Sequence, residues 1–294
     1  MSTKELAEKN RLLIRMVSES TEALKKALNW STLPTQPKIG IVLGSGLGLF
    51  CAGLKDKREV VFTQIPYLPD SAVPGHSAKW VYGVTAKGVP IIVSQGRIHG
   101  YDGHESTIVT LPIRILAKLG LKHVVLTNAA GSVNPDYRPG DFVLIDDHIN
   151  LQVLSPLRGI FDPELGPRFV DLSEPYDLAT NTALEALCRK ERPAIRLHRG
   201  VYCSVHGPQY ETRAEIRMIG KLGGDVVGMS TVPETIVAKQ CGLKVTALSC
   251  VTNFGCGLSS DALDHTHVAA MAQKRAPEFC WLLEELVAMS LVSD

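Results

Sequence analysis

The apolar run Ile91-Ile92-Val93 is followed by Gly96-Arg97-Ile98-His99-Gly100-Tyr101. Three β-branched residues in succession read as a buried strand, and the glycine lets the backbone turn while an arginine, a histidine and a tyrosine arrive at one spot. That combination is anion chemistry. Arginine offers a planar fork of donors suited to an oxyanion, histidine a donor that can be neutral or charged, and tyrosine an amphipathic wall. A lone Arg-x-His is more at home on a solvated loop, but here the arrangement recurs. Apolar runs also lead into Gly44-Ser45-Gly46-Leu47-Gly48, Thr127-Asn128-Ala129-Ala130-Gly131, Gln209-Tyr210-Glu211-Thr212, Val227-Gly228-Met229-Ser230 and Thr252-Asn253. Ser45, Arg97, His99, Ser230 and the backbone N–H groups near Ala129 can donate to an oxyanion. Glu211 and Asn253 can read a polar heterocycle, and Tyr101, Tyr210 and Met229 can cover flat apolar surface. The expected ligand set is an anion beside a heterocyclic base.

Several better-known chemistries fail on spacing. The dinucleotide fingerprint needs a glycine or alanine where Leu49 stands, counting from Gly44 and Gly46, or where Cys51 stands, counting from Gly46 and Gly48. No Lys-Ser or Lys-Thr follows these glycines, so the turn is not a P-loop. A nucleophile elbow at Ser230 would need glycine at position 232, which is Val232. Asp146-Asp147-His148 holds metal-ligand types, yet neighbours on a strand face opposite ways and do not converge, so a structural role is expected there. His76, in Gly75-His76-Ser77, is by itself more at home as a structural histidine than as a ligand.

The elements that must position these groups alternate. Residues 2–30 read as an amphipathic helix, with Ser2 and Glu5 forming a capping box and Leu6, Leu13, Val17, Leu24 and Leu28 at helical spacing. Strands are expected over 38–43, 80–84, 89–93, 122–126, 142–145, 200–205 and 244–251. Helices are expected over 106–119, with a kink or late start at Pro112 and a cap at Gly120, over 176–189, up to 222, from Pro233 onward, and over 265–289 with a break near Pro277. Residues 154–175 are proline-rich and read as a long ordered loop. Strands alternating with helices predict an α/β fold: a single domain with a central mixed, largely parallel twisted sheet flanked by helices on both sides, its ligand outside the C-terminal strand ends. The helix of residues 1–30 is expected to pack on that domain, which spans 31–294.

Composition narrows the class. Of 294 residues, 45% are hydrophobic and 21% charged, ordinary for a chain with a substantial core. A net charge of +1 gives no field that would attract nucleic acid or a membrane surface, so any anion must be held locally. No run approaches a spanning helix, and the charged first ten residues lack a signal-peptide core. The seven cysteines are odd in number, form no C-x-x-C pair and mostly lie in apolar stretches, which favours free thiols in the cytoplasm over disulfides or zinc.

Taken in order, these motifs, together with Gly75-His76, Asp147-His148-Ile149-Asn150, Gly207-Pro208-Gln209-Tyr210-Glu211-Thr212 and Gly228-Met229-Ser230-Thr231-Val232-Pro233-Glu234, resemble the trimeric purine nucleoside phosphorylases from about residue 38 to the last helix. The resemblance implies reversible phosphorolysis of purine (deoxy)ribonucleosides by a homotrimer that uses no metal or organic cofactor, inorganic phosphate being a co-substrate. It also implies a phosphate site of Ser45, Arg97, His99, Ala129 and Ser230 with His76 over it. Tyr101, Met229 and His265 would surround the ribose, with His265 on the 5′-hydroxyl and His267 the alternative. Tyr210, Glu211, Val227, Thr252 and Asn253 would hold the base. Asn253, His99, Glu211 and His265 are the candidate catalytic residues.

Glu211 suggests the substrate. A carboxylate accepts from N1–H of hypoxanthine or guanine, whereas adenine has no such proton, so inosine and guanosine are expected over adenosine. The similar methylthioadenosine phosphorylases, the alternative within the fold, carry aspartate at the position of Asn253. A nucleoside-binding protein without catalysis is a further alternative. The chain departs from the family pattern at Leu165, where animal members have a phenylalanine that reaches a neighbouring subunit's site, at Tyr210 in place of phenylalanine, and at Phe254 in place of lysine.

Overall fold

A computed structural model describes residues 2–70, 78–152, 155–259 and 265–291, with the side chains of 265 and 266 outside that description. The elements, in chain order, are α1 (Thr3–Ala27), β1 (Ile39–Leu43), β2 (Lys55–Val61), β3 (Lys79–Val84), β4 (Pro90–Gln95), α2 (Ser106–Val109), α3 (Leu111–Lys118), β5 (His123–Ser132), β6 (Phe142–Asn150), α4 (Leu178–Glu191), β7 (Leu197–Ser204), α5 (Arg213–Lys221), β8 (Val226–Gly228), α6 (Val232–Gln240), β9 (Lys244–Phe254), α7 (His265–Lys274) and α8 (Ala276–Ser290).

The nine strands form one mixed sheet in the order β2-β3-β4-β1-β5-β8-β7-β6-β9, and β9 also pairs with β5. Among the described residues five strand pairings are parallel and four antiparallel. Because β5 pairs with both β8 and β9, strands β5, β8, β7, β6 and β9 close on one another while β2, β3, β4 and β1 run out as an open flank. Strand side chains alternate between two cores. Val42, Ile92, Val124 and Leu126 pack with Leu13 and Leu24 of α1, Leu116 of α3 and Ile236 of α6. Ile41, Ile91, Val93 and Val125 pack with Leu184 of α4 and Phe279 and Leu283 of α8. Apolar residues on both faces explain why these strands read as unbroken hydrophobic runs.

Local signals set several boundaries. The Ser2–Glu5 capping box starts α1 and a Thr212–Glu215 box starts α5. The expected kink at Pro112 is a break at Thr110 between α2 and α3, and the expected break near Pro277 falls at Arg275. Buried Asn10 ties α1 to the long loop: its amide donates to Gly159 O at 2.7 Å and its oxygen accepts from the N–H of Phe161 at 2.9 Å and of Asp162 at 3.1 Å.

Several features differ from the sequence expectation, among them β6, which continues past Ile145 to Asn150, and β8, which is not among the expected strands. β2 is not among the expected strands; Lys-Asp-Lys-Arg-Glu-Val-Val is an outer strand that, among the described residues, pairs only with β3, and charge on an open edge discourages pairing with other chains. β5 and β9 do not end at Leu126 and Val251 but continue to Ser132 and Phe254, because they pair with each other along their whole length. Hydrogen bonding across that pair overrides the turn preference of Thr127-Asn128-Ala129-Ala130-Gly131.

Asp146 and His148 serve structure. Asp146 binds the Arg199 guanidinium at 2.7 Å and accepts from Asn181 at 2.9 Å, and His148 Nδ1 lies 3.0 Å from the Tyr176 hydroxyl. The seven cysteines are free, and burial pushes the Cys51 and Cys250 thiols up to about 12. No described helix is long and apolar enough to cross a membrane.

Candidate active site

A gap in strand pairing builds the cavity. One edge of β5 pairs with β1 only as far as Leu126 and is taken up by β8 only from Gly131. Between them Thr127–Ala130 turn part of their backbone toward a cleft at a topological switch point, where ligands of open α/β sheets bind. Gly44 closes one side of this cleft: a Cβ there would stand 2.7 Å from Asn128 Cα, so only glycine lets β1 exit this close to β5.

Every strand exit singled out from sequence reaches the same cavity. Ser45, Arg97, His99, Tyr101, Ala129, Tyr210, Glu211, Val227, Met229, Ser230, Thr252 and Asn253 all line it. His76 and the His265 side chain lie outside the described residues; His267, one helix position pair on, is exposed. Asn128, Ala130, Gly131, Gly228 and Val268 also line the cavity. Asn128, expected at a strand exit, supports the wall with its side chain, donating to Thr231 Oγ1 at 3.0 Å and accepting from Ser249 Oγ at 2.7 Å.

At one end the donors are fixed. The Arg97 side chain is 3% exposed, its Nε donating to Glu234 at 2.9 Å and its Nη1 to Thr127 O at 2.7 Å. Nη2 is buried with no hydrogen-bond partner among the described residues. A buried donor left unmet costs about 1–3 kcal/mol, so this nitrogen suits an anion from solution. Ser230 is held from two sides, its N–H donating to the Tyr202 hydroxyl at 3.3 Å and its carbonyl accepting from Ser204 Oγ at 3.1 Å. His99 stacks on Tyr101 with ring centres 4.6 Å apart. Burial, with Asp102 adding to it, pushes the Tyr101 phenol up to about 12, which keeps it a neutral donor.

The other end is looser. Tyr210 is 38% exposed. Burial, and more weakly the neighbouring Glu215, raises the Glu211 carboxyl above the ordinary glutamate range. Thr252 and Asn253 are consecutive, yet both face the cavity. A bulge explains it: Ala130 pairs with Val251 and Gly131 with Asn253, so Thr252 is an extra residue that breaks the two-residue alternation. Thr252 Oγ1 donates to Asn253 Oδ1 at 2.9 Å, and Asn253 Nδ2 donates to Phe254 O at 3.0 Å. Among the described residues the second amide hydrogen has no acceptor and suits a ligand.

The model of the phosphorylase superfamily matches residues 38–288. Purine nucleoside phosphorylase 1 of Bacillus subtilis is 40% identical over 256 residues, 87% of this chain and 93% of that protein. The chain belongs to the purine nucleoside phosphorylase family. Among solved structures of that family, the Schistosoma mansoni enzyme in complex with inosine superposes with a TM-score of 0.85 at 35% identity, covering 93% of this chain and 96% of the other. The same organism's enzyme in complex with adenosine superposes with a TM-score of 0.83 at 37% identity, covering 90% and 96%.

Leu165, the departure from the family's phenylalanine, is buried in the chain's own core, where its carbonyl accepts from Arg114 at 3.2 Å. Four residues on, Phe169 is 87% exposed, with the Arg168 guanidinium 5.5 Å from its ring centre.

Proposed function

We propose that this cavity carries out phosphate-dependent cleavage of 6-oxopurine nucleosides, inosine and guanosine and their 2′-deoxy forms, yielding the free base and (deoxy)ribose 1-phosphate. One observation carries the reading. A single cavity is lined by Arg97, whose Nη2 has no hydrogen-bond partner among the described residues, and by a carboxylate and an amide, Glu211 and Asn253.

Phosphate is held by Ser45, Arg97, His99, Ser230 and the Ala129 N–H, with His76 covering it. A phosphate oxygen attacks C1′ as the C1′–N9 bond breaks. The sugar becomes oxocarbenium-like and the bonding pair moves into the purine, so the enzyme must hold the anion against the sugar and stabilise a base that is gaining charge. Asn253 does the second by hydrogen-bonding N7 and O6. Glu211 accepts from N1–H, Tyr210, Val227 and Thr252 enclose the ring, Tyr101 and Met229 cover the ribose, and His265 bonds the 5′-hydroxyl. No organic cofactor or metal is needed, since phosphate itself is the nucleophile. The family resemblance supports a homotrimer working in the cytoplasm on nucleoside salvage, and sedimentation of the purified chain tests the trimer.

A related structure holds adenosine, so binding alone is a weak discriminator for this chain. The test is initial-rate turnover of inosine, guanosine, adenosine and methylthioadenosine, each with and without phosphate. Cleavage of the 6-oxopurine nucleosides only with phosphate is expected. Efficient turnover of the adenine nucleosides by the unaltered protein would discard the assignment of Glu211, and no turnover of any would leave a binding protein.

A further inference from the structure

Glu234 is a buried carboxylate that the reaction itself does not call for. It stands beside an anion site, where its charge opposes phosphate binding, so its presence needs a reason. The contacts supply one. Both oxygens lie within hydrogen-bond reach of Arg97 Nε, Oε1 at 3.0 Å and Oε2 at 2.9 Å, and both side chains are 3% exposed. Oε2 also accepts from the backbone N–H of Thr231 at 3.1 Å.

That second contact falls on an unusual turn. Thr231 has φ +67° and ψ −51°, left-handed backbone that a β-branched residue disfavours. The Val232 N–H closes the turn onto Ser230 O at 2.7 Å. Such a conformation persists only where its surroundings hold it. Here Asn128 holds the Thr231 hydroxyl at 3.0 Å, and Glu234 holds its N–H. The turn is what presents Ser230 to the cavity. One carboxylate therefore links two phosphate-facing groups that arrive from opposite parts of the chain, Arg97 after β4 and Ser230 before α6.

We propose that Glu234 is a positioning residue for phosphate: it fixes the Arg97 guanidinium so that Nη2 faces the anion, and locks Ser230 in register with it. The proposal rests on the reading of Arg97 and Ser230 as phosphate ligands. Orientation outweighs the added negative charge because a donor set in place before binding does not have to be ordered by the ligand.

Glu234→Gln tests this, since it keeps the size and an oxygen for the Thr231 N–H but loses the ionic hold on Arg97. Steady-state kinetics with phosphate varied at saturating inosine, and inosine varied at saturating phosphate, separate the two sites. A rise in phosphate KM of at least about tenfold is expected, as for loss of a hydrogen bond to a charged group, with inosine KM within about twofold. In an Arg97→Ala background the same substitution should add less than about threefold, because its effect runs through Arg97. Phosphate KM that is unchanged or lower in Glu234→Gln, or equal rises in both KM values, would overturn the proposal. Should that variant not fold, Glu234→Asp draws the carboxylate back by one methylene, and unchanged phosphate KM there overturns it equally. Wild-type cleavage without phosphate dependence would remove the parent reading instead, so the two failures are told apart.

Discussion

The two ends of the cavity are built differently. Around the anion end, Arg97, Glu234, Thr231, Asn128, Ser249 and Thr127 bond one another through buried contacts of 2.7 to 3.1 Å. Around the base end, Tyr210 is 38% exposed, and among the described residues Asn253 bonds its sequence neighbours Thr252 and Phe254. On the proposed reading, the difference follows from what each end must do. Phosphate is the same in every turnover and its charge is fully present before reaction, so donors can be set in advance. The purine varies in its substituents and, on the proposed reading, gains charge as the glycosidic bond breaks. The donor aimed at that charge, Asn253, is set by its two sequence neighbours, whereas the phosphate end is set by partners from several elements.

The largest test of that contrast compares its two extremes. Asn253→Ala should lower kcat on inosine by about 10²–10³-fold with phosphate KM little changed, as for loss of a donor aimed at developing charge. Arg97→Ala should chiefly raise phosphate KM. Similar small effects from both would mean that the ends do not divide the work. A smaller effect is expected at Glu211, measured as the ratio of inosine to adenosine kcat/KM. Glu211→Gln keeps an acceptor for N1–H and adds a donor for adenine N1, so the ratio should fall by about 100-fold, a part of the discrimination that unmatched buried polar groups provide. A ratio unmoved by the substitution would assign base selection elsewhere in the wall.

The smallest effect is in the pH profile. Burial raises the Glu211 pKa. Above that pKa the carboxylate accepts from inosine N1–H; as pH falls through it, the protonated acid becomes a donor, which disfavours inosine and suits adenine. The inosine-to-adenosine ratio should therefore decline on acidification, beginning at higher pH than for an ordinary glutamate. A ratio that does not fall on acidification, or one that rises, would place Glu211 outside the base site.

Much of this was legible in the chain because the signals are local. The Ser2–Glu5 capping box, the break before Pro112 and the polar residues that follow six apolar runs each need only a few consecutive residues to be recognised. β2 was not legible: Lys55–Val61 is strand because β3 offers it a partner, and its charges suit an open edge rather than any periodicity of its own. The extension of β5 through Thr127–Ser132 was hidden for the same reason, since small polar residues become strand there only against β9. Leu165 aligned with a family position that reaches a neighbouring subunit, yet it turns into its own core and leaves Phe169 at the surface.

The sequence by itself determined which polar groups follow the apolar runs and what chemistry their types allow. Only the tertiary structure decided how they meet: that Thr252 bulges so that it and Asn253 share a face, that Asn128 supports the wall, and that Glu234 closes on Arg97 from 137 positions away. Propensity and capping act over a few bonds, so a sequence displays them. The pairing of a buried carboxylate with a particular guanidinium depends on two strands and a helix first excluding water between them, and no local pattern encodes that.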